Sequence, residues 1–487
     1  MLSFANDFVS GEPGSLSLTR GFADGRRVDT PEEAKKMNRL YVAEPDFTLT
    51  GGMADHRLRI GQSQIPALAA LIAAKVFELA HFGSELVGVL RSKGSALKVN
   101  PEWIDICAQD LFDNRGSSIV LAGACLPEEV HVLTAAMNAV LQAEGKLVSY
   151  VESQAPLSTH GLDGIVSGLN DGSIKHLIVL EGNPVYDTPA GTGFAEAVKS
   201  AETITALSYY SSETTELATT CIAETHYLEA WGDGRANDGT VVPVQPMIEQ
   251  LFDTFTALEL LAALAGETDL NGYNQVQSTI DGISSGDKAK AFKLFLAEGI
   301  LKGSEYPKAK LSISADKLIP TARAILDAPV LTGESLEAVF TPSAQMFDGR
   351  FANNGWVHEC PDSMTKLTWD NAISISPRLA KELEERDGIQ ILPGSGLMQS
   401  WGKFRTNVDN AKFKRGKQEA PVAELTVDGR TIKAPVYVLP GLSNYSVILP
   451  LGYGRRVVGP VGQGTGFDFY SEQPSQASVV TEEQLKM

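Results

Sequence analysis

His176-Leu177-Ile178-Val179-Leu180-Glu181-Gly182-Asn183-Pro184 joins a short apolar run to a loop of turn formers. The run is strand-length, and the loop that follows supplies glycine, asparagine and proline, the residues that break regular structure. A helical pattern over residues 194–200 comes next, and residues 204–208 (ITALS) form another apolar run. Strand, loop, helix and strand in so short a span indicate a right-handed βαβ unit in a parallel sheet.

The same unit recurs towards the N-terminus. Residues 118–123 (SIVLAG) read as a buried strand ending in small residues. Pro127-Glu128-Glu129 then opens a helix, because proline suits a first turn and acidic side chains favour the positive end of the helix dipole. Val130, Leu133, Ala136 and Val140 give that helix an apolar stripe close to a 3.6-residue period. Earlier still, residues 39–43 form a strand running into a turn at Glu44-Pro45-Asp46, and residues 65–82 form an apolar helix. Towards the C-terminus the texture changes. Residues 268–317 are polar and read as a helical connector. From Leu367 onward short apolar runs at 372–375, 390–392, 423–427, 436–439 and 446–449 alternate with turn residues such as Asp428-Gly429 and Asn444. That rhythm predicts a small β-barrel.

The expected fold class is therefore α/β, with doubly wound parallel sheets followed by a C-terminal β-barrel. Expected regions are an α/β segment over 1–100, a doubly wound unit over 101–270, a connector over 271–364, the barrel over 365–466 and a polar tail over 467–487. A length of 487 residues suits several domains rather than one core.

Composition narrows the function classes. Hydrophobic residues make up 43% and charged residues 21%, an ordinary globular balance. Lys plus Arg number 41 against 60 Asp plus Glu, a net charge of −19. Such a surface disfavours nucleic acid, whose binding depends on cations neutralising phosphates. No apolar run reaches the roughly 20 residues of a membrane-spanning helix; the longest, residues 65–79, is interrupted by Lys75 and Glu78. Cys107, Cys125, Cys221 and Cys360 lie far apart, with no spacing that would build a local zinc or iron–sulfur site. Residues 1–5 (MLSFA) lack the basic start and apolar core of a secretory signal, so export would rely on a partner or on a leader not present.

Several longer words resemble a known family. Glu181-Gly182-Asn183-Pro184 resembles the loop near the pterin nucleotide in molybdopterin oxidoreductases of the dimethyl-sulfoxide-reductase superfamily. The passage from Glu213-Thr214 to Gly239-Thr240 resembles the superfamily's next conserved stretch. Ile375-Ser376-Pro377, Asp387-Gly388, Ala434-Pro435-Val436 and Gly452-Tyr453-Gly454 resemble its C-terminal barrel, which is double-psi-like. Residues 37–45 (MNRLYVAEP), 48–60 (TLTGGMADHRLRI), 231–246 (WGDGRANDGTVVPVQP), 348–356 (DGRFANNGW) and 365–371 (TKLTWDN) look more narrowly like the large iron–sulfur subunit of bacterial alternative complex III.

That resemblance implies a non-catalytic scaffold in a membrane-associated, quinol-oxidising electron-transfer complex. It implies no cofactor in this chain, with iron–sulfur clusters and haem c carried by partner subunits. The implied partners are a ferredoxin-like iron–sulfur domain or subunit, an integral-membrane quinol-binding subunit and cytochrome c subunits. The implied location is the periplasmic face of the bacterial inner membrane. Compared with the family, this sequence is expected to lack an earlier portion of the fold and the cysteine-rich ferredoxin-like region. The rival expectation is part of a catalytic molybdopterin guanine dinucleotide oxidoreductase. Positions that would border a vestigial pterin pocket are Gly182, Asn183, Pro184, Arg235, Asn237, Asn353, Asn354 and Tyr453. The bland alternative for all of them is a set of fold-defining turns. His56, His160, His226 and His358 stand without ligand-spaced partners and read as structural. Trp356 reads as packing against the sheet.

Overall fold

The computed structural model describes residues 1–152, 161–388, 391, 420–474, 479–481 and 485–486. The chain divides into two compact units. The first comprises residues 1–149, 311–454 and 464–487, and the second residues 150–310 and 455–463.

In the first unit a four-stranded parallel sheet runs His56–Arg59, Tyr41–Glu44, Leu2–Phe4, Val120–Ala122. Leu2 lies opposite Tyr41 on one side and opposite Val120 on the other. In chain order this is third, second, first, fourth, the order of doubly wound sheets. The helix Ile65–Leu79 packs with the helices Ser84–Gly94, Pro101–Asp113 and Glu128–Val140. Its residues are buried nearly all round, among them Leu68, Ile72, Val76 and Phe77, which is why its sequence shows little amphipathic contrast. The free edge of Val120–Ala122 is met by a side chain. Buried Asn138 accepts from the Val120 N–H at 2.8 Å and donates to the Val120 carbonyl at 2.8 Å, in place of a neighbouring strand.

The C-terminal strands form a mixed seven-stranded sheet. Ser335–Pro342 runs parallel to Ser446–Leu451, and Ile373–Ile375 runs parallel to Arg430–Val438. Val422–Val427 pairs antiparallel with Arg430–Val438. The turn between them puts Asp428 at φ 51 and Gly429 at φ 80, the double positive φ of a type I′ hairpin that the Asp-Gly pair foretold. Residues 271–364, expected as a connector, contribute more than that. They supply the helix Ala315–Ala324, which packs into the first unit's core, and the strand Ser335–Pro342. Two expected features fall outside the described residues: most of the run 390–392, and much of the tail.

The second unit holds a three-stranded parallel sheet, His176–Leu180, Thr203–Ser208, Thr220–Ala223. A hairpin of Gly232–Arg235 with Val241–Val244 follows. Beyond it come the helices Ala257–Leu264, Gly272–Ile283 and Lys288–Glu298, the last two from the polar stretch 268–317. Val276, Ile280, Phe292 and Phe295 give these helices a small core of their own.

Candidate functional site

In an open parallel sheet, ligands gather at the carboxyl ends of the strands. In the first unit that place, between Leu2–Phe4 and Val120–Ala122, is closed by the protein itself. Asn6 Nδ2 donates to the Ala122 carbonyl at 3.2 Å, and the Gly123 N–H donates to the Phe4 carbonyl at 2.8 Å. A Cβ at Gly123 would meet the Ala5 carbonyl oxygen at 2.0 Å, so only glycine allows the two loops to touch.

The second unit shows two polar groupings at the equivalent end of its sheet. In the first, Asn183 reaches across to the helix Glu213–Leu217. Its Nδ2 donates to Glu213 Oε2 at 2.8 Å, and its Oδ1 accepts from the Thr214 N–H at 3.0 Å and the Thr214 hydroxyl at 2.8 Å. The Thr214 hydroxyl in turn accepts from the Val185 N–H at 3.1 Å. Glu213 also takes Arg455 Nε at 3.0 Å and the backbone N–H groups of Arg456 and Val457 at 2.8 and 3.0 Å. The carboxylate and the Arg455 guanidinium are both buried, each 7% exposed at the side chain. Burial alone would raise the Glu213 pKa. The hydrogen bonds and charge of Arg455, with the backbone donors, outweigh it and pull the value down to about 2. Arg455 additionally lies over the Tyr186 ring. Pro184 starts the short helix Pro184–Asp187.

The second grouping is a rim made from the first residue past each of the three strands: Glu181, Tyr209 and Glu224. Glu181 holds a left-handed backbone, φ 58, at the start of its loop. Glu224 is buried, and its pKa rises to about 8, first through desolvation and then through its hydrogen bond with Glu181 and the repulsion of that carboxylate. At neutral pH Glu224 therefore favours its protonated form. The Tyr209 phenol is pushed up to about 12 by burial and the same two carboxylates. His226 neighbours both Tyr209 and Tyr227, and its Nδ1 accepts from the Leu228 N–H at 3.2 Å.

The remaining candidates divide between the units. Arg235, on the hairpin of the second unit, donates to the carbonyls of Gly239 and Ser304 at 3.1 and 3.3 Å and lies over the Tyr306 ring. Asn237 is exposed at the hairpin tip. In the first unit Asn354 caps the helix Gly355–Glu359, its Oδ1 accepting from the Trp356 and Val357 N–H groups. Asn353 lies in the loop just ahead of that cap, half-buried. His358, on that helix, is buried. Its Nε2 donates to the Ala352 carbonyl at 2.7 Å, and its ring stacks on Trp369 at 4.8 Å. Burial raises the pKa of the Tyr453 phenol beside them, with a bond from Ser343 acting the other way. Gly452, just before it, sits at φ 96 with the Phe347 carbonyl in the space a side chain would need. Trp356, expected to pack against the sheet, is instead 84% exposed. Its five-residue helix turns the ring outward, while His358 takes the buried position on the same turn.

Among the described residues, no three His, Cys, Asp or Glu side chains come together as a metal site. The letters Gly282-Ile283-Ser284-Ser285-Gly286 spell Gly-x-Ser-x-Gly, the pattern of a hydrolase nucleophile. They leave a helix rather than a strand, so the strained elbow that exposes such a serine is not formed. His160 lies outside the described residues. Sequence reading named Glu181 and Glu213 as parts of their loops but passed over Arg455, Tyr209 and Glu224. Tyr209 and Glu224 had a legible signal, because each is the first residue after an apolar strand. Arg455 had none, since it lies 242 residues from Glu213.

Comparison with known proteins yields a likeness of fold. No family model matches this chain, and no curated protein matches it. Acetylene hydratase from Pelobacter acetylenicus superposes with a TM-score of 0.60 over 99% of this chain and 77% of that one, at 10% identity. Its fold is that of the molybdopterin oxidoreductases, and this chain shares that fold: parallel α/β sheets with a curled C-terminal sheet.

Proposed function

We propose that this chain is a non-catalytic platform of the molybdopterin-oxidoreductase type, within a quinol-oxidising complex like alternative complex III. In this reading it positions iron–sulfur and cytochrome c partners at the periplasmic face of a membrane, and the curled sheet closes as a double-psi-like barrel. Electron transfer falls off steeply with distance, so holding neighbours in place is itself a function.

The observation that carries the reading is the Asn183–Glu213–Arg455 knot. The loop that would border a pterin nucleotide turns its amide inward, and the buried cation beside it is matched by a buried carboxylate. The rim beyond offers the carboxyl groups of Glu181 and Glu224 rather than cations, and Arg235 is engaged by carbonyls. A diphosphate needs cations or unengaged N–H groups, so these loops do not fit a pterin dinucleotide, and no chemical step is assigned to them. The longer words shared with the complex III subunit supply the rest of the argument.

A catalytic molybdopterin subunit is the second reading, and one observation favours it. A Cβ at Gly182 would meet nothing nearer than 3.6 Å, so the fold itself does not demand glycine there, whereas a closely approaching ligand would. Elemental analysis of the native assembly, with fluorescence of oxidised pterin, separates the two. Iron without molybdenum, tungsten or pterin is the expected result. Molybdenum or tungsten near one per chain would reject the platform.

A further inference from the structure

The second unit carries an apolar strap that the platform leaves uncovered. Past the strand Thr220–Ala223, the chain returns along itself: the Met247 and Ile248 N–H groups donate to the Leu228 carbonyl at 2.7 and 3.2 Å. The Leu251 N–H donates to Glu229 at 3.2 Å, and Phe255 exchanges backbone bonds with Ala223 and Thr225. The strap is thus pinned by its backbone, and its apolar side chains face outward. Met247 is 77% exposed, Leu251 66%, Phe252 76% and Tyr227 60%. Single exposed apolar residues need no explanation, but a contiguous set on an ordered backbone marks an interaction surface.

Along the strap's own stretch of chain, residues 200–287, the charge is one-sided. Between Lys199 and Lys288 the only Lys or Arg is Arg235, and its guanidinium is engaged by carbonyls. Glu229, Glu249 and Asp253 flank the apolar residues directly. An anionic lipid surface or a nucleic acid would be repelled. A second copy of this chain would bring the same acidic strap and be repelled as well.

We propose that this strap docks a partner polypeptide through a segment in which apolar side chains are flanked by Lys or Arg. The inference rests on the platform reading and names a surface for it. Phe252 and Met247 enter the partner's apolar groove, while Glu249 and Asp253 meet the basic rim. This division of labour leaves affinity to the buried anchors and orientation to the charges.

The test uses the native assembly, with Phe252→p-benzoylphenylalanine as a photo-crosslinker and Leu326→p-benzoylphenylalanine as a control, Leu326 being 82% exposed elsewhere. Mass spectrometry should place the crosslink from position 252 in one partner polypeptide, on a segment carrying Lys or Arg beside apolar residues. The control should give no such product. Phe252→Asp should lower retention of that partner by about tenfold, as removal of a central aromatic anchor does, with the circular dichroism of the chain unchanged. Crosslinks to a second copy, to lipid or to an acidic segment would overturn the proposal, as would none at all. If Phe252→Asp retains every iron- and haem-bearing polypeptide, the strap is refuted and the platform reading stands. If the unaltered chain retains none of them, both fall.

Discussion

Glu213 and Arg455 illustrate how a buried ion pair is maintained. Five donors converge on one carboxylate: Arg455, Asn183 and the N–H groups of Arg456 and Val457, with the guanidinium contributing twice. Glu213→Gln leaves Arg455 buried against a neutral amide, and should cost about 3–5 kcal/mol in chemical unfolding, the penalty for stranding one partner of such a pair. The pH dependence has a definite sign. The folded value lies at about 2, below the ordinary 4.5, so its stabilisation is complete above pH 4.5 and fades as pH falls towards 2. Glu224 acts in the opposite sense. Its folded value of about 8 lies above 4.5, so its contribution is fullest below pH 4.5 and is lost as pH rises through 8. Glu224→Gln should flatten the stability–pH curve of the second unit between pH 5 and 8. A curve that keeps its slope in that variant would show that the proton is not held there.

At the scale of elements, legibility followed locality. The strand His176–Leu180 and the Asp428-Gly429 hairpin were readable because period, turn chemistry and backbone demand coincide within a few residues. The helix Ile65–Leu79 was readable as apolar, though its burial on most sides depends on helices that arrive later in the chain. Ile72→Ala there should cost about 2–5 kcal/mol, measured by denaturant titration, because a fully buried aliphatic side chain is removed from a core with little room to relax. Ser376 is a smaller case. It caps the helix Pro377–Asp387 by accepting from the Leu379 N–H at 3.1 Å, and it also donates to the Asn444 carbonyl at 2.6 Å. Ser376→Ala should cost about 1–2 kcal/mol. The cap is local to the chain, whereas the second bond joins residues far apart in it.

Across the whole molecule, the α/β class and the parallel sheets were legible, while the way the chain divides was not. Linear reading expects domains as successive stretches, yet the first unit takes residues from three separate parts of the chain and the second from two. Nothing local records such interleaving. The strands Leu2–Phe4 and Ser335–Pro342 belong to one unit although more than 300 residues separate them. The polar stretch after residue 268 looked like a linker because its core is only a handful of side chains, Val276, Ile280, Phe292 and Phe295 among them. The site suffered in the same way. Its loops could be named from sequence, but whether their polar groups face inward or outward is set by partners that sequence spacing does not reveal.

Interleaving also sets a timetable during synthesis. Glu213 leaves the ribosome 242 residues before Arg455. At about 5–20 residues per second, that is a wait on the order of 10–50 s with no counter-charge available. Over that interval the nascent second unit can form its strands but cannot bury Glu213 without cost. Its completion is therefore postponed until residues 455–457 have been made, and a nascent chain arrested before residue 455 would present this unit open to proteases or chaperones.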